Sequence, residues 1–280
     1  MMFAFRVAYI GTDYHGFQIQ PRVRTVEGEI LRALKRLGIV KDKKSSSFSY
    51  ASRTDAGVHA LSQVVAFRTD SNLAEPRIIN SELPEDIRFY ARAEAPENFN
   101  ARRDALYKRY RYYLYSEDLD IKEMREASRL FIGKHDFRNF SSERKKDTVR
   151  TVYSLEIRLE PPFAIIDICA DSFLYNMARK IITALKMVGE GERPKEWISE
   201  LLSLSSSEGI PPAPPQGLIL EEVRYENLDF VVDEYALKSA VGIMKSRFAS
   251  LAPLAESIRD MENSLESMKI TAASHESSDI

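Results

Sequence analysis

The residues best suited to chemistry in this sequence stand together as Arg53, Thr54 and Asp55, with Gly57 two positions later. A carboxylate in such a segment can act as a nucleophile or as a base. An arginine near it can bind a phosphate or another anion. An aspartate in a turn also commonly bonds its own backbone, so composition alone favours an ordinary turn here. The choice between a turn and an active site depends on the elements that position this segment.

The elements on either side of the segment are predicted to be two short strands, Ser47–Ala51 and Gln63–Phe67, around a tight, polar loop. Apolar residues recur every three or four positions over Thr25–Leu37, and this predicts an amphipathic helix with Thr25 as its cap. The remaining elements of this part are a strand over Met2–Gly11, a helix over Glu75–Leu83 and a strand over Ile87–Ala95. Residues 1–100 therefore follow the order β-α-β-β-α-β.

The next part of the chain, residues 106–227, mixes strands and helices without strict alternation. The predicted strands are Leu106–Tyr115, Val149–Leu159, Phe163–Ala170 and Gly217–Tyr225. The predicted helices are Ile121–Phe131, Asp171–Val188 and Pro194–Leu204. This pattern predicts an α+β fold class with one domain over residues 1–105 and a second over residues 106–227.

The composition is that of an ordinary globular protein, because 44% of the 280 residues are hydrophobic and 29% are charged. It excludes a disordered or low-complexity chain. Cys169 is the single cysteine and the four histidines are scattered, so we expect no disulfide and no metal site. No apolar run approaches the roughly 20 residues of a membrane span, and the N-terminus lacks the features of a signal peptide. We therefore expect a cytoplasmic protein without a membrane partner.

The charge of the chain is unevenly distributed. The whole chain holds 40 basic and 42 acidic residues, but residues 101–150 hold 14 basic and 9 acidic ones. Residues 228–280 hold 5 basic and 9 acidic ones. The basic middle permits a nucleic-acid partner that the net charge alone would not suggest.

Residues 228–280 are predicted to be a helical extension that ends in a frayed, polar tail over Thr271–Ile280. Apolar residues follow each other at spacings of three or four, and the two spacings that flank Leu251 are both three. Pro253 stands next to this irregularity, so we expect two helices that form a hairpin. The apolar stripe must then be buried, and we expect the hairpin to pack on the second domain or at a contact with another subunit. The stripe consists of Leu237, Val241, Met244, Phe248, Leu251, Leu254, Ile258, Met261, Leu265 and Met268.

The segment Ser52–Ala60 resembles the catalytic loop of the TruA-type tRNA pseudouridine synthase family, usually GRTDAGVHA, and differs from it only at Ser52. The likeness extends in the family's order over about residues 3–226, and residues 228–280 lie outside it. The other matching stretches are GFQ at 16–18, TVEGE at 25–29, FNAR at 99–102, KRYRY at 108–112, HDF at 135–137, VRT at 149–151, FLYNMAR at 173–179 and PAPPQGL at 212–218. A single match would be weak, whereas this ordered series is specific.

The resemblance implies isomerisation of uridine to pseudouridine in the anticodon stem-loop of tRNA, at positions 38–40, without a cofactor or a metal. It also implies two related halves that share one mostly antiparallel sheet with a central basic cleft. The partners it implies are tRNA and a second subunit of a homodimer.

The same resemblance assigns roles to three residues of the cleft. Asp55 is the catalytic carboxylate, and it attacks C1′, attacks C6 or removes a ribose proton; the sequence leaves the three routes open. Arg179 pairs with Asp55, because an unpaired buried carboxylate is costly, although a surface arginine is the alternative. Tyr110 stacks on the flipped uracil, and its hydroxyl is a candidate acceptor of the C5 proton.

Further residues are expected to contact the RNA. By resemblance, Arg53 enters the stem where the base leaves, with a salt bridge inside the loop as the alternative. Leu218 packs against the uracil, with plain core packing as the alternative. The candidate contacts to the RNA backbone are Arg22, Arg24, Arg102, Arg103, Arg138, Arg144, Lys145, Lys146 and Arg150.

Two other functions compete with this one. A non-catalytic RNA-binding module would need the basic residues and the aromatic side chains but not the Asp55 loop. A hydrolase of the glycosidic bond would be expected to have more carboxylates near the site, often with a metal, and the sequence offers no such acidic cluster.

Overall fold

The structure is a computed structural model, and it describes residues 1–115, 118–143 and 147–276. The chain divides into two compact units, Met1–Ala236 and Leu237–Ile280. All the predicted site residues that the structure describes belong to the first unit. One sheet runs through residues 1–105 and residues 106–227. The division of this unit into two domains near residue 105 therefore stays a prediction.

The first hundred residues form the predicted order of strands and helices. Thr25 caps the first helix as expected, since its side chain accepts a hydrogen bond from the backbone N–H of Gly28. The helix predicted over Glu75–Leu83 is wrong in extent, because only one turn forms behind the proline at its start. The elements are β1 (Met2–Tyr9), α1 (Val26–Arg36), β2 (Ser49–Tyr50), β3 (His59–Arg68), α2 (Pro76–Ile79) and β4 (Ile87–Ala95).

The second part of this unit contains the predicted strands and helices with some shifted boundaries. Two strands were not predicted, Gly133–Asp136 and Val231–Val232, and the second of these falls in the segment predicted to be helical. The strands are β5 (Tyr107–Tyr115), β6 (Gly133–Asp136), β7 (Val149–Glu160), β8 (Phe163–Ala170), β9 (Leu218–Arg224) and β10 (Val231–Val232). The helices are α3 (Ile121–Arg129), α4 (Met177–Gly189) and α5 (Glu196–Leu202).

Helix α4 begins six residues later than the predicted start at Asp171. Asn176 has a φ of 64°, in the left-handed region, so a continuous helix cannot pass through it. The Asp171 carboxylate accepts hydrogen bonds from the backbone N–H groups of Thr151 and Ser172 and holds this stretch in a turn. The turn places Arg179 within the first turn of α4.

Among the described residues, ten strands form one mostly antiparallel sheet in the order β10-β4-β1-β3-β9-β5-β8-β7-β6, with β2 beside β3. The exception to antiparallel pairing is the contact of β3 with β9, where His59 lies opposite Ile219 and Ala60 opposite Leu220. This parallel contact joins the two halves of the sheet. Because both strands start at the same edge, the residues just before His59 and Ile219 are neighbours. The α+β class and the shared sheet predicted from the sequence are confirmed.

Strand side chains that alternate between a buried and an outward-facing position build the apolar core. In β5 the side chains of Lys108, Tyr110, Tyr112 and Leu114 are buried, while those between them face outward or are half-buried. This alternation confirms the prediction that Tyr110 and Tyr112 share one face. Phe5 in β1 stacks on Phe67 with ring centroids 4.9 Å apart, so the core of the first half is closely packed.

The second unit belongs to one helix, α6 (Glu234–Glu276), which runs through Pro253. The predicted hairpin is therefore wrong. Pro253 lacks an N–H, so one hydrogen bond of the helix is lost, but the rest of the helical backbone bonds on either side continue. The helix also includes residues 271–276, which were predicted to fray; alanines in this part favour a helix, and residues 277–280 lie outside the described residues.

Most of the apolar stripe of α6 is exposed within this chain. The predicted alternative, burial of the stripe at a subunit contact, stays a prediction. The side chains of Phe248, Leu254 and Met261 are 74%, 59% and 65% exposed. No described helix of the chain is both long enough and apolar enough to span a bilayer.

Candidate active site

The loop that carries Asp55 connects β2 with β3 and is held by backbone hydrogen bonds to residues 14–17. The Gly57 N–H donates to the Tyr14 carbonyl at 3.3 Å, and the Phe17 N–H donates to the Thr54 carbonyl at 3.0 Å. Within the loop, the Val58 N–H donates to the Asp55 carbonyl at 3.2 Å, so Asp55 begins a tight turn. The loop lines one wall of a pocket.

Asp55 and Arg179 form an ion pair in this pocket. Arg179 Nη1 lies 3.1 Å from Asp55 Oδ2, and the two side chains are only 13% and 14% exposed. The guanidinium is fixed further, since its Nε donates to the Ala213 carbonyl at 2.6 Å and its Nη1 donates to Asn176 Oδ1 at 3.3 Å. The alternative of a surface arginine is therefore wrong for Arg179.

The environment of Asp55 acts on its proton affinity in two opposing ways. Burial removes water from the carboxylate and raises its pKa above the ordinary value, while the hydrogen bond and the charge of Arg179 oppose this effect. The arginine favours the ionised form, which is the form that a nucleophile or a base requires.

Tyr110 forms a second part of the pocket wall and is only 5% exposed. Its ring meets Phe173 edge to face, with centroids 4.9 Å apart and an interplanar angle of 79°. Its hydroxyl shares a hydrogen bond of 2.7 Å with the Ser52 hydroxyl. Burial raises the pKa of the Tyr110 phenol, so the phenol carries its proton in the free protein.

A buried amide organises the start of the loop that carries Asp55. Gln63 accepts a hydrogen bond from the Ser52 N–H at 3.0 Å and donates to the Ser52 carbonyl at 2.8 Å. It also donates to the Tyr9 hydroxyl at 3.4 Å, and this hydroxyl shares a bond of 2.6 Å with Thr54. These bonds connect both sides of Arg53 to the sheet, so the loop enters the pocket from a fixed position.

The parallel contact of β3 with β9 brings Leu218 next to the loop. Leu218 is 4% exposed and lines the pocket, so it contributes both to the core and to the site. His59 ties the two segments together, because its Nδ1 accepts from the Gly11 N–H at 3.0 Å and its Nε2 donates to the Gln216 carbonyl at 3.1 Å. Burial lowers the pKa of His59 and favours the neutral ring that this pair of bonds requires.

Cationic side chains surround the pocket, with Arg53, Arg102 and Lys108 near Arg179. Arg53 is exposed and forms no ion pair with a described carboxylate, so the salt bridge considered for it is absent from the part of the chain that the structure describes. Lys108 is buried and donates to the Ala51 carbonyl at 2.5 Å. Its burial lowers the pKa of this ammonium to about 8.

The predicted contacts to the RNA backbone fall into three groups. Arg22 and Arg102 are exposed, and neither pairs with a described carboxylate. Arg144, Lys145 and Lys146 lie outside the described residues. The others are paired: Arg24 with Glu29, Arg103 with Asp104, Arg138 with Asp136 and Arg150 with Asp147.

Four residues of the site were not predicted from the sequence: Lys108, Gln63, Glu143 and Phe173. A signal for Lys108 existed, because it lies two positions before Tyr110 in a strand and so shares its face. Phe173 stands in a stretch that the sequence analysis quoted for its family likeness without giving this side chain a role. Gln63 carries no local signal, since its contacts with Ser52 and Tyr9 depend on tertiary structure.

Comparison with known proteins identifies the family of this chain. A profile of the family described as "tRNA pseudouridine synthase" matches residues 127–226. A protein of Methanosarcina acetivorans named "tRNA pseudouridine synthase A" is 50% identical over 244 residues, which cover 86% of this chain and 91% of that protein. The proteins of the same name from Methanosarcina barkeri and Pyrococcus abyssi are 46% and 43% identical, over 93% and 89% of this chain and 98% and 94% of their own lengths. The chain therefore belongs to the TruA-type family of tRNA pseudouridine synthases.

Proposed function

We propose that this enzyme converts uridine to pseudouridine at positions 38–40 of the anticodon stem-loop of tRNA, with Asp55 as its catalytic carboxylate. In this reaction the N1–C1′ bond breaks, the uracil turns, and a C5–C1′ bond forms. The C5 proton leaves and N1 gains a proton, so the product is an isomer of the substrate. No electrons are transferred to or from another molecule, so the reaction needs no redox cofactor. On the family resemblance we propose that no metal takes part either.

One observation carries the proposal: the Asp55–Arg179 pair lies in a pocket that Tyr110 and Leu218 also line. The pair supplies a carboxylate that is held in one orientation and partly removed from water. The aromatic and aliphatic side chains supply a surface on which a uracil ring can pack. A module that only binds RNA has no need of such a buried ion pair, and this supports an enzyme over that alternative.

In this proposal Asp55 acts on the nucleotide and Arg179 holds Asp55. The carboxylate attacks C1′ or C6, or it removes a ribose proton, and all three routes place it close to the glycosidic bond of the flipped nucleotide. The bonds of Arg179 to the Ala213 carbonyl and to Asn176 fix the guanidinium without using Asp55. Arg179 therefore keeps its position when Asp55 moves toward the nucleotide.

Tyr110 is proposed to stack on the uracil and to accept the C5 proton. Aromatic stacking on a base contributes roughly 1–3 kcal/mol, which offsets part of the cost of taking the base out of the helix. Since its phenol is protonated in the free protein, Tyr110 must release its own proton as it accepts one. The Ser52 hydroxyl, 2.7 Å from it, is a neighbour that can share that proton.

The exposed cations around the pocket are proposed to hold the RNA while the base is extruded. Arg53 is proposed to occupy the space in the stem that the base leaves. Arg22 and Arg102 are better candidates for phosphate contacts than the paired arginines, because a carboxylate partner must be displaced before a paired arginine binds phosphate. We also propose a cytoplasmic homodimer, on the family resemblance alone.

The proposal is tested with unmodified tRNA transcripts and the purified protein, without added metal. We expect pseudouridine only at positions 38–40 of a transcript that has uridine there, and no product from a matched transcript with cytidine at those positions. Addition of a chelator should leave the rate unchanged. Pseudouridine at other positions only would contradict the proposed substrate site, and a requirement for metal would contradict the proposed chemistry.

The same assay separates the rival functions. A hydrolase would release free uracil and leave an abasic site, whereas an isomerase retains the base in the RNA. A module that only binds RNA would retain the transcript on a filter without forming pseudouridine at any protein concentration.

A further inference from the structure

Helix α6 carries an apolar surface that is unusual for a single soluble chain. A stripe of apolar side chains runs along it, and Val241, Phe248 and Leu254 are 45%, 74% and 59% exposed. A contiguous apolar stripe of this length marks an interaction surface. The name α6 stripe is used for the nine residues Leu237, Val241, Met244, Phe248, Leu251, Leu254, Ile258, Met261 and Leu265. Met268 continues the apolar series by one further step, but the position symmetric to it about Leu251 is Glu234.

The spacing of the α6 stripe is a palindrome centred on Leu251. From Leu237 the steps are 4, 3, 4 and 3 residues to Leu251, and from there they are 3, 4, 3 and 4 to Leu265. Alternating steps of three and four are the spacing of a helix that packs along another helix. At Leu251 two steps of three follow each other, and the order of the steps is reversed beyond it. Such a break interrupts the regular repeat of a continuous coiled coil.

We propose that α6 pairs with α6 of a second copy of this chain, antiparallel, about a two-fold axis at Leu251. In this arrangement every residue of the stripe meets a residue of the stripe in the partner. Leu251 faces itself across the axis. The other layers pair Phe248 with Leu254, Met244 with Ile258, Val241 with Met261, and Leu237 with Leu265. An interface of this kind uses the same surface on both chains.

The charges along α6 favour the antiparallel direction. Residues 237–250 contain three basic side chains and no acidic one, namely Lys238, Lys245 and Arg247. Residues 252–265, which face them in the proposed pair, contain three acidic side chains and one basic one. An antiparallel pair places the basic half of each helix beside the acidic half of its partner. A parallel pair would place like charges together at both ends.

Pro253 does not obstruct this surface. It lies two residues from Leu251, about 200° around the helix, so its ring faces away from the stripe. The Ser257 hydroxyl donates to the Pro253 carbonyl at 2.8 Å and satisfies an acceptor near the interruption. The basic and acidic halves also argue against a membrane as the occupant, because an anionic surface would repel residues 252–265.

The proposal is tested by cross-linking the full-length chain through single introduced thiols, in a Cys169→Ser background. Leu251→Cys places a thiol on the two-fold axis, so we expect most of the protein to form a covalent dimer on mild oxidation or with a short bismaleimide. Met244→Cys is the matched control, because its symmetry mate lies about 21 Å away along the antiparallel pair, beyond the reach of a disulfide. The double variant with Met244→Cys and Ile258→Cys should again cross-link.

The cross-linking results distinguish an antiparallel pair, a parallel pair and a different occupant of the stripe. Dimers from Leu251→Cys and from the double variant, but not from Met244→Cys alone, support the antiparallel pair. Dimers from both single variants would overturn it in favour of a parallel pair. Absence of dimers from both Leu251→Cys and the double variant would show that another surface or another protein occupies the stripe.

A charge exchange tests the same surface without thiols. One variant replaces Lys238, Lys245 and Arg247 by Glu, and a second replaces Glu256, Asp260 and Glu262 by Lys. Each alone should weaken self-association through α6 by about tenfold or more in sedimentation, since like charges then face each other. An equimolar mixture of the two should restore it as a heterodimer; failure of the mixture to associate would overturn the antiparallel register. These readouts do not depend on the proposed activity.

Discussion

Burial raises the pKa of Asp55, while the hydrogen bond and the charge of Arg179 oppose this effect. The charge of Asp55 is therefore the property to test. Asp55→Asn keeps the size of the side chain and one acceptor oxygen for Arg179, which lies 3.1 Å away, but removes the charge. We expect no detectable pseudouridine and nearly unchanged tRNA affinity, because phosphate contacts elsewhere supply most of the binding energy. The measurements are pseudouridine formation and filter binding at one salt concentration.

A control for this substitution is Asp70→Asn, which changes an exposed carboxylate paired with the N-terminal amine. It should leave both readouts near those of the wild type. Turnover by Asp55→Asn at the wild-type rate would remove Asp55 from the proposed chemistry.

His59 makes the link between the Asp55 loop and residues 215–218 sensitive to pH. Its pKa is lowered by burial, so the unfolded chain binds this proton more readily than the folded one. The stability that neutral His59 contributes is present above its ordinary pKa of about 6.5 and is lost as the pH falls through the lowered value. We expect the melting temperature of the wild type to fall as the pH is lowered below about 6.5, and His59→Gln to show a smaller fall over the same series.

The matched control for the pH series is His15→Gln, since His15 is exposed and lies outside the pocket. If His59→Gln and the wild type showed parallel curves, the loss of stability would arise from other groups.

At the scale of elements, the loop before β3 and the segment before β9 are held together by a close contact at Gly57. Gly57 has a φ of 80°, and a Cβ there would lie 2.9 Å from Cγ of Pro215. Gly57→Ala should therefore destabilise the protein by roughly 1–3 kcal/mol through backbone strain and a steric clash. It should also reduce the rate, because Pro215 begins the turn that leads to Leu218 in the pocket.

Gly38→Ala separates the two causes. Gly38 has a φ of 67° but has open space where a Cβ would be, so this variant suffers the backbone strain alone. We expect Gly38→Ala to lower the melting temperature and leave the rate per folded molecule unchanged. Equal effects of both variants on the rate would mean that the Gly57–Pro215 contact does not position the site.

At the scale of the whole molecule, all described site residues belong to the unit Met1–Ala236, and α6 provides the second unit. A chain that ends after Ala236 keeps every strand of the sheet, so we expect its rate per molecule and its melting temperature to stay near those of the full chain. A chain that ends after Asn227 also loses β10 and Phe230, whose ring lies 4.6 Å from Arg6 Cζ. Its melting temperature should fall by at least about 4 °C.

Calorimetry and initial rates are measured for both truncated chains. Together they show whether α6 contributes to the stability and the activity of the first unit or is dispensable for both. Loss of tRNA binding in a stable chain that ends after Ala236 would show that α6 contacts the RNA, in spite of the excess of acidic residues over 228–280.

Local patterns in the sequence determined much of this protein. The cap at Thr25, the strands Ile87–Ala95 and Phe163–Ala170, and the shared face of Tyr110 and Tyr112 all follow from short-range spacing. Each depends on hydrogen bonds or alternation within a few residues, which the order of residue types specifies. The family likeness added the choice of Asp55 over an ordinary turn residue.

Tertiary structure alone decided which distant residues meet. Asp55 and Arg179 are 124 positions apart, and they pair because the parallel contact of β3 with β9 joins the two halves of the sheet while Asn176 ends the turn before α4. The continuity of α6 through Pro253 was also beyond local rules, because the cost of one proline is weighed against the hydrogen bonds of the 43 residues in the whole helix. Both outcomes depend on the total free energy of many interactions, between distant residues in the first case and along a long helix in the second. A short stretch of sequence does not contain this information.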